Sequence, residues 1–291
     1  MFKFQKIALA SLLPLLAGCG SNVDGGSRTF IQNKGSDTLV NVAQAWAEAY
    51  SKVEPMVAIA VSGGGSGTGI SAMINGTVDM ANASRAMKAR EIENAKRNGV
   101  DPVEHVVGFD ALVVYVHKDN PVESLSLQQL ATIYGEGGSA VNWSDLGVKM
   151  PEGAKDEIVR ISRQNNSGTY AYFRDAVLGK EGKYKLGSID LHGSKDVVDT
   201  VEKTPSAIGY SGLAYATDHV KLVPVKVKDG EPAVMPSVET AVDQSYPIAR
   251  PLLMYTAGQP TGAVKAYLDW ILSQAGQQII VAKGYAPVKV Y

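Results

Sequence analysis

The chain alternates between short apolar runs and amphipathic helical patterns from residue 29 onward. The run at residues 57–61 predicts a buried strand. The almost wholly apolar run at 109–117 predicts a central strand that is covered on both faces. Between such runs, apolar residues recur at three- and four-residue spacing, which is the spacing of one helix face. This alternation is typical of an α/β fold.

The first predicted helix begins near Thr38, with Ser36 and Asp37 just before it as candidate caps. Its predicted buried face comprises Leu39, Val42, Ala43, Trp46, Tyr50 and Val53. At the other end of the chain, one helix is predicted over residues 262–275. Polar residues before a helix usually serve only as caps, so a single such start carries no functional meaning.

Residues 1–18 have the parts of an export signal. Two lysines supply positive charge, and residues 7–17 form an apolar stretch that is too short to span a bilayer. The segment ends in LAGC, which matches the lipobox of bacterial lipoproteins, where the cysteine is lipidated and becomes the first residue. We therefore expect a cleaved signal peptide, a lipid anchor on Cys19 and a flexible Gly-rich tether at 19–28. The alternative is a buried N-terminal helix in which the cysteine is incidental.

Cleavage before Cys19 leaves 291 − 18 = 273 residues. This is more than one hydrophobic core usually covers, so two lobes are expected. Removing Lys3 and Lys6 leaves 26 basic against 29 acidic residues, and without a basic block nucleic acid is not an expected partner. Cys19 is the single cysteine, so no intramolecular disulfide can form. No apolar run after the leader approaches ~18 residues, so no transmembrane helix is expected in the mature chain.

Four segments share one design, in which a strand or extended stretch leads through Gly, Ser or Thr residues into a helix. They are GSDT at 35–38, GSGT at 65–68, NASR at 82–85 and RQNNSGT at 163–169. The first turn of a helix has N–H groups without intrahelical partners and carries partial positive charge. Glycine admits a ligand close to the backbone, hydroxyls add rotatable donors, and arginine offers paired hydrogen bonds. Together these segments predict a binding site for a tetrahedral oxyanion.

Other kinds of site find less support in the sequence. The glycine-rich stretch at 63–69 lacks the lysine of a nucleotide-hydrolysing phosphate loop, and no suitable acidic residue follows at the spacing of a dinucleotide fingerprint. No Gly-x-Ser-x-Gly elbow follows a strand with its partners in order, although one sequence leaves a Ser/His/Asp hydrolase open. The four histidines, His105, His117, His192 and His219, are too dispersed for a zinc site. We therefore expect a chain that is not an enzyme and needs neither a cofactor nor a metal.

The order GSDTL, SGGGSGTGI, VDMANASR and RQNNSGTY resembles the phosphate-binding (PstS) family of the phosphate ABC transporter. The resemblance covers essentially the whole mature chain. It implies a two-lobe periplasmic-binding-protein type II fold, with the ligand cleft between the lobes and two crossover segments. On this basis lobe 1 comprises 29–117 with 248–291, and the inserted lobe 2 comprises 118–247. The hinges are expected near 117–121 and 245–248.

The resemblance also implies which residues bind the anion. The first helix start and the glycine-rich turn donate from one lobe, and the segment that begins at Arg163 donates from the other. The complete predicted set is Thr38, Leu39, Ser66, Ser84, Arg85, Arg163, Ser167, Gly168 and Thr169, with Ser36 and Asp37 as further candidates.

The sequence departs from the family pattern at two positions. Arg85 stands where family members carry an aspartate that accepts a proton from the ligand. In those members the aspartate distinguishes protonated phosphate from sulfate. Asn165 stands where a family aspartate orients the arginine. We therefore predict that Arg85 either contacts the anion or pairs with Asp37. In this hypothesis Arg85 and Arg163 neutralise a dianion, while Asp37 accepts any proton.

The expected function is capture of inorganic phosphate outside the cytoplasm and its delivery to the membrane permease subunits of an ABC transporter. The protein is expected to be a monomer, held at a bacterial membrane through Cys19. Two alternatives stay open: a binding protein for another oxyanion, such as sulfate, molybdate or tungstate, and a surface lipoprotein without a transport role. Arg163 favours phosphate, because sites for those other oxyanions rely on hydroxyl and backbone donors with less arginine.

Overall fold

The computed structural model describes residues 28–289. The strands in that range are β1 (Thr29–Gly35), β2 (Val57–Ser62), β3 (Met80–Ala83), β4 (Val103–His117), β5 (Leu125–Ser126), β6 (Val159–Arg163), β7 (Ile189–Leu191), β8 (Ala207–Gly212), β9 (Val220–Val223), β10 (Val225–Lys226) and β11 (Ala249–Thr256). The α-helices are α1 (Val40–Val53), α2 (Ser66–Ile74), α3 (Ala89–Arg97), α4 (Leu127–Tyr134), α5 (Gly168–Val177), α6 (Ser194–Glu202), α7 (Val238–Val242), α8 (Gly262–Ile271) and α9 (Gln274–Ala282), with short 3-10 helices at Trp143–Leu146 and Leu213–Tyr215. The predicted signal peptide, Cys19 and nearly all of the tether lie outside the described residues.

Most of the described strands form one mixed sheet in the order β2-β1-β3-β11-β4-β8-β6-β7, with β9 beside β4. β1 runs parallel to β2 and β3, whereas β11 is antiparallel to β3 and β4. Beyond β4, β8 is antiparallel to β4, and β6 is parallel to both β7 and β8. Because β1, β2 and β3 are parallel, their carboxyl ends meet at one edge, the usual place for a ligand in α/β sheets. Three of the four predicted segments begin at that edge.

β4 is long enough to serve both halves of the sheet. Its residues from Val103 to Ala111 pair with β11, and those from Leu112 onward pair with β8 and β9. The change of partner lies six residues before His117, where the predicted first lobe ends (117 − 111 = 6). The residue ranges of the two lobes stay a prediction.

Separate groups of buried apolar residues lie on the two sides of this change. One surrounds Trp143 and the second half of β4, and another surrounds Trp46 and packs β1, β11 and α8 together. Each indole N–H has a backbone acceptor: Trp46 Nε1 donates to Gly276 O at 2.8 Å and Trp143 Nε1 to Ser206 O at 3.0 Å. A buried indole N–H needs such a partner, so these hydrogen bonds fix the position of each tryptophan within its own apolar group. None of the helices within residues 28–289 is long and apolar enough to cross a membrane.

The α/β prediction is confirmed, but α1 differs from its prediction at both ends. Its N-cap is Leu39, and no side chain caps the helix. Ser36 and Asp37 are engaged elsewhere, since Ser36 Oγ donates to Ser84 Oγ and Asp37 accepts from a backbone N–H of the glycine-rich turn. In the last turn Val53 is exposed, whereas the other predicted face residues are buried.

Two further predictions are wrong for identifiable reasons. The sequence predicts a buried β2, but this strand lies at the edge of the sheet, where Val57 alone among its residues is buried. An edge strand has a neighbour on one side only and stays accessible on the other. The sequence predicts one C-terminal helix, but the structure has two, α8 and α9, because the helical conformation is interrupted at Leu272 and Ser273. Ser273 is the N-cap residue of α9, and its hydroxyl donates to Trp270 O at the end of α8 rather than capping α9.

Candidate functional site

The four predicted segments meet at one place in the structure. Ser36 follows β1, Ser66 begins α2, and Ser84 follows β3, and all three are buried. Ser36 Oγ donates to Ser84 Oγ at 2.9 Å, and the Ser84 N–H donates to Ser66 Oγ at 3.0 Å. The three turns that follow parallel strands are therefore joined through their hydroxyl groups. A chain of hydroxyls of this kind offers donors that can rotate toward a ligand.

The fourth segment reaches the same place from the opposite side. Ser167 caps α5, with its Oγ accepting from the Thr169 N–H at 3.1 Å. The hydroxyls of Thr169 and Thr38 lie 3.0 Å apart, so the start of α5 faces the start of α1. Asn166 connects the fourth segment to the glycine-rich turn. Its side-chain Nδ2 donates to Gly64 O at 3.0 Å, and its backbone carbonyl accepts from the Gly67 N–H at 3.0 Å.

The close packing at this junction leaves no room for a side chain at Gly168. A Cβ added to Gly168 would lie 2.2 Å from Ser66 Oγ and 2.4 Å from Ser84 Oγ. Real Cβ atoms do not approach other atoms so closely. Gly168 therefore lets the backbone at the start of α5 come within contact of the two serines from the other side of the cleft.

Arg163 is a buried cation of the site, with 1% of its surface exposed. Its Nε and Nη2 donate to His192 O at 3.1 and 2.6 Å, and Nη1 donates to Ser194 Oγ at 2.9 Å. Nη2 also lies 3.3 Å from Asp37 Oδ2. Burial lowers the pKa of Arg163, and the Asp37 carboxylate opposes that effect. A guanidinium keeps its proton in proteins, so Arg163 is a positively charged group held in a fixed orientation.

Asp37 is the carboxylate of the site. Its Oδ1 accepts from the Gly64 N–H at 2.9 Å, and His192 Nε2 lies 3.8 Å from the same oxygen. The Tyr215 hydroxyl donates to the backbone carbonyl of Asp37 at 2.7 Å. These contacts hold the carboxylate beside Arg163, where the sequence predicted a proton acceptor.

Arg85 does not pair with Asp37, and this prediction is wrong. Its Nη1 and Nη2 donate to the two oxygens of Glu91 at 2.8 and 2.7 Å, and Nη1 also donates to Ala86 O at 2.9 Å. The planar guanidinium of Arg85 matches the two oxygens of the carboxylate in this two-bond geometry. The carboxylate is available there because Glu91 lies in the first turn of α3. Contact between Arg85 and an anion stays a prediction, and the bidentate partner argues against it.

The Arg85–Glu91 pair leads to a prediction about stability. Burial by itself raises the pKa of Glu91, but the hydrogen bonds from Arg85 and the Lys88 N–H outweigh it, so the pKa is lowered. A carboxylate with a lowered pKa stabilises the fold above the unfolded-state pKa of about 4.3, and the contribution is lost as the pH falls through the folded-state pKa. Glu91→Gln is expected to lower the free energy of unfolding by about 1–3 kcal/mol at pH 7.

Urea unfolding at about pH 7 and about pH 3 measures this effect, and the difference between wild type and Glu91→Gln is expected to shrink at the lower pH. Glu93→Gln is the matched control, because Glu93 is exposed on the same helix and the change of charge is the same. A difference that stays equal at both pH values would contradict the assigned role of the Glu91 carboxylate.

The sequence reasoning missed Arg250 and Asp110. They are cross-strand partners on β11 and β4, and both side chains are fully buried. Arg250 Nη2 lies 2.8 Å from Asp110 Oδ2, and it also reaches the hydroxyls of Thr38 and Thr169 at 3.3 and 3.2 Å. Complete burial raises the pKa of Asp110, and the charge of Arg250 opposes this. The available signal was a charged residue within each of two largely apolar runs, Asp110 in FDALVVYVH and Arg250 in ARPLLMYT, which rarely occurs without a partner.

The arrangement is rich in donors: a buried guanidinium, hydroxyls from both sides of the cleft and the first turns of two helices. Within residues 28–289 no group of three or more His, Cys, Asp or Glu residues is placed to hold a metal ion. Arg163 and Arg250 are already paired with Asp37 and Asp110, so the net charge of the site is small. An anion would therefore be held mainly by directed hydrogen bonds. Such a site can enclose a small oxyanion.

Comparisons with known proteins agree with this geometry. A family model described as PBP superfamily domain matches residues 22–275. The phosphate-binding protein PstS of Pseudomonas aeruginosa is 35% identical over 269 residues, which cover 89% of this chain and 83% of that protein. The chain belongs to the PstS family. A second member, from Staphylococcus saprophyticus, is 32% identical and is matched over 90% of this chain and 81% of its own.

A solved structure is also similar to this chain. A phosphate ABC transporter substrate-binding protein from Clostridium perfringens, crystallised with bound phosphate, is 30% identical and covers 90% of this chain and 100% of its own, with a TM-score of 0.79. The predicted family and the two-lobe periplasmic-binding-protein fold are thereby confirmed. A family of solute-binding proteins agrees with the expectation that the chain is not an enzyme.

Proposed function

We propose that this chain captures inorganic phosphate between its two lobes and delivers it to the permease of an ABC transporter. The observation that carries the proposal is the buried guanidinium of Arg163, which lies beside Asp37 where hydroxyl donors converge from both sides of the cleft. The relatives support the same ligand, since two are named phosphate-binding proteins and one was crystallised with phosphate. A binding protein carries out no chemical step, so the function rests on capture and release.

The proposed ligands are the donors that line this junction. They are Thr38, Leu39, Ser66, Ser84, Arg163, Ser167, Gly168 and Thr169, with Ser36 as a further candidate and Asp37 as the acceptor of a ligand proton. Charge-assisted hydrogen bonds contribute about 1.5–3 kcal/mol each, whereas association and ordering cost on the order of 4–15 kcal/mol. Roughly eight such bonds therefore suffice for micromolar binding or tighter, about −8 kcal/mol.

Asp37 supports selection of phosphate over sulfate. A carboxylate can accept a hydrogen bond from a protonated ligand oxygen and repels an oxygen without a proton. The second ionisation of a phosphate group falls near about pH 6 in esters. Inorganic phosphate still carries one proton after that step, whereas sulfate carries none. The pairing of Asp37 with Arg163 limits the repulsion that phosphate itself would meet.

Isothermal titration of the chain from residue 20 onward tests the proposal with phosphate, sulfate and molybdate. We expect one phosphate per chain, at micromolar affinity or tighter, and weak competition by sulfate across about pH 5 to 9. Strong sulfate competition at every pH would defeat the claim of phosphate selectivity, and Asp37→Asn would then identify whether the carboxylate contributes at all. A chain that binds none of the three anions contradicts the function.

We also propose that the mature protein begins at a lipidated Cys19 and acts as a monomer on the outer side of a bacterial membrane. The lipobox sequence at 16–19 supports the anchor. Mass spectrometry of the mature N-terminus tests the lipid, and light scattering after gel filtration tests the monomer. An unmodified cysteine, or a stable dimer, would contradict the corresponding statement.

Phosphate capture requires the two lobes to move relative to each other. We propose hinges near residues 117–121 and 245–248, between a first lobe of 29–117 with 248–291 and a second lobe of 118–247. Closure by hinge motion is expected for proteins of this architecture. Because β4 changes partners between Ala111 and Leu112, its second half would move with the second lobe, and the boundary within β4 would lie a few residues earlier than His117.

A further inference from the structure

Arg250 lies beside the point where β4 changes its pairing partner. Its cross-strand neighbour is Asp110, and Ala111 is the last residue of β4 that pairs with β11. The guanidinium therefore sits at the junction of the two halves of the sheet rather than within one of them. Its Nη1 approaches the Ser84 carbonyl at 3.4 Å, and its Nη2 touches one hydroxyl from each side of the cleft.

The two hydroxyls that meet Arg250 belong to Thr38 and Thr169. They lie 3.3 and 3.2 Å from Nη2 and 3.0 Å from each other. An arginine can only donate, so each hydroxyl oxygen acts as an acceptor toward it and must direct its own hydrogen elsewhere. Only one of the two hydroxyls can donate in the bond that joins them, which leaves at least one hydrogen for a further acceptor.

We propose that Arg250 is a positioning residue for the anion, which holds the Thr38 and Thr169 hydroxyls so that the hydrogen not used in the bond between them is directed toward the bound ligand, and which joins the two lobes in the closed form. This inference rests on the proposed function and deepens it. Arg250 acts here through the two threonines, whereas Arg163 is the arginine proposed to bind the anion directly.

Asp110 fixes the orientation on which this role depends. Its Oδ2 accepts from Nε and Nη2 of Arg250 at 3.1 and 2.8 Å, and its Oδ1 accepts from the Leu213 N–H at 3.2 Å. The Tyr172 ring lies 5.9 Å from the guanidinium carbon on another side. With both strands and a helix holding the group, the Nη2 atom has a single position relative to the two hydroxyls. A lysine cannot reproduce this fork, because its ammonium is a point charge on a flexible stem.

A double-mutant cycle on phosphate affinity tests the proposal. Arg250→Lys keeps the charge and a partner for Asp110, and we expect its Kd to rise by about 10-fold. Thr169→Val removes one of the two hydroxyls and is expected to raise Kd by about 10- to 100-fold. The double variant is expected to lose less affinity than the product of the two single effects, because one of the two hydroxyls through which Arg250 acts is already absent. Thr169→Ser keeps the hydroxyl, so it should restore both the affinity and the sensitivity to Arg250→Lys.

The outcomes separate this inference from the proposed function. If the wild-type chain binds phosphate but the two single effects multiply in the double variant, or if Arg250→Lys binds as wild type does, the positioning role is overturned. A wild-type chain without phosphate binding instead contradicts the proposed function itself, and the inference falls with it. Should Arg250→Lys fail to fold, Asp110→Asn takes its place in the cycle, since it frees the guanidinium without removing it, and the same non-additivity is expected.

Discussion

Replacement of Arg163 by glutamine is expected to raise the Kd for phosphate by about 100-fold or more. The variant loses the guanidinium donors, each of which contributes about 1.5–3 kcal/mol when it meets a charged acceptor. It also leaves the Asp37 carboxylate, 3.3 Å from Nη2 in the wild type, without its partner beside the incoming anion. Repulsion from that carboxylate adds to the loss. Isothermal titration or equilibrium dialysis with labelled phosphate measures the change.

Arg160→Gln provides the matched control. Arg160 lies on the same strand, β6, and the substitution changes the net charge by the same amount, but its Nη2 donates to Leu186 O away from the junction. We expect phosphate affinity within about threefold of wild type for this variant, since the half-buried Arg160 side chain donates to a carbonyl away from the junction and its charge reaches the anion only as a screened attraction. Equal losses in both variants would mean that overall charge, rather than the local geometry of Arg163, governs binding.

The sequence predicts the site well where its residues follow parallel strands. The turns at Ser36, Ser66 and Ser84 follow β1, β2 and β3, and the ends of parallel strands must meet at one edge of a sheet. Their convergence could therefore be expected from the order of the elements alone. The segment at Arg163 follows β6, which lies on the other side of β4, so its approach to the same place depends on the two-lobe fold.

Arg250 and Asp110 escaped prediction for a related reason. They are 140 residues apart in the chain and meet because β11 returns to pair with β4, a register that no local pattern encodes.

Arg85 was assigned to the wrong partner although its true partner is close in the chain. Its partner Glu91 is only six residues away, but an arginine beside a helix start fits both an anion ligand and an ion pair, and the side-chain geometry decides between them. Local spacing predicts where donors lie, whereas pairing of charges requires the packed structure.

Gly168→Ala is expected to raise the Kd for phosphate by about 10- to 100-fold while leaving the unliganded fold intact. In the closed arrangement the new methyl group would lie 2.2 Å from Ser66 Oγ and 2.4 Å from Ser84 Oγ. Relief requires either that the lobes stay apart or that the serine hydroxyls turn away, and both weaken the proposed site. Gly168 is the first residue of α5 and lacks a positive φ, so alanine suits its backbone and slightly favours the helix. The expected result is a melting temperature without phosphate at or above that of wild type, together with a smaller stabilisation on adding phosphate.

Gly67→Ala isolates the steric cause. Gly67 is also in the first turn of a helix that faces the other lobe, but a Cβ there would lie 3.3 Å from Asn166 O, which a shift of a few tenths of an ångström relieves. Its phosphate affinity should therefore fall by less than that of Gly168→Ala. Small-angle scattering gives a second readout, because phosphate should reduce the radius of gyration of wild type and Gly67→Ala more than that of Gly168→Ala. If Gly168→Ala binds phosphate and contracts as wild type does, the anion is held without close contact between α5 and the two serines, and the proposed ligand set must be redrawn.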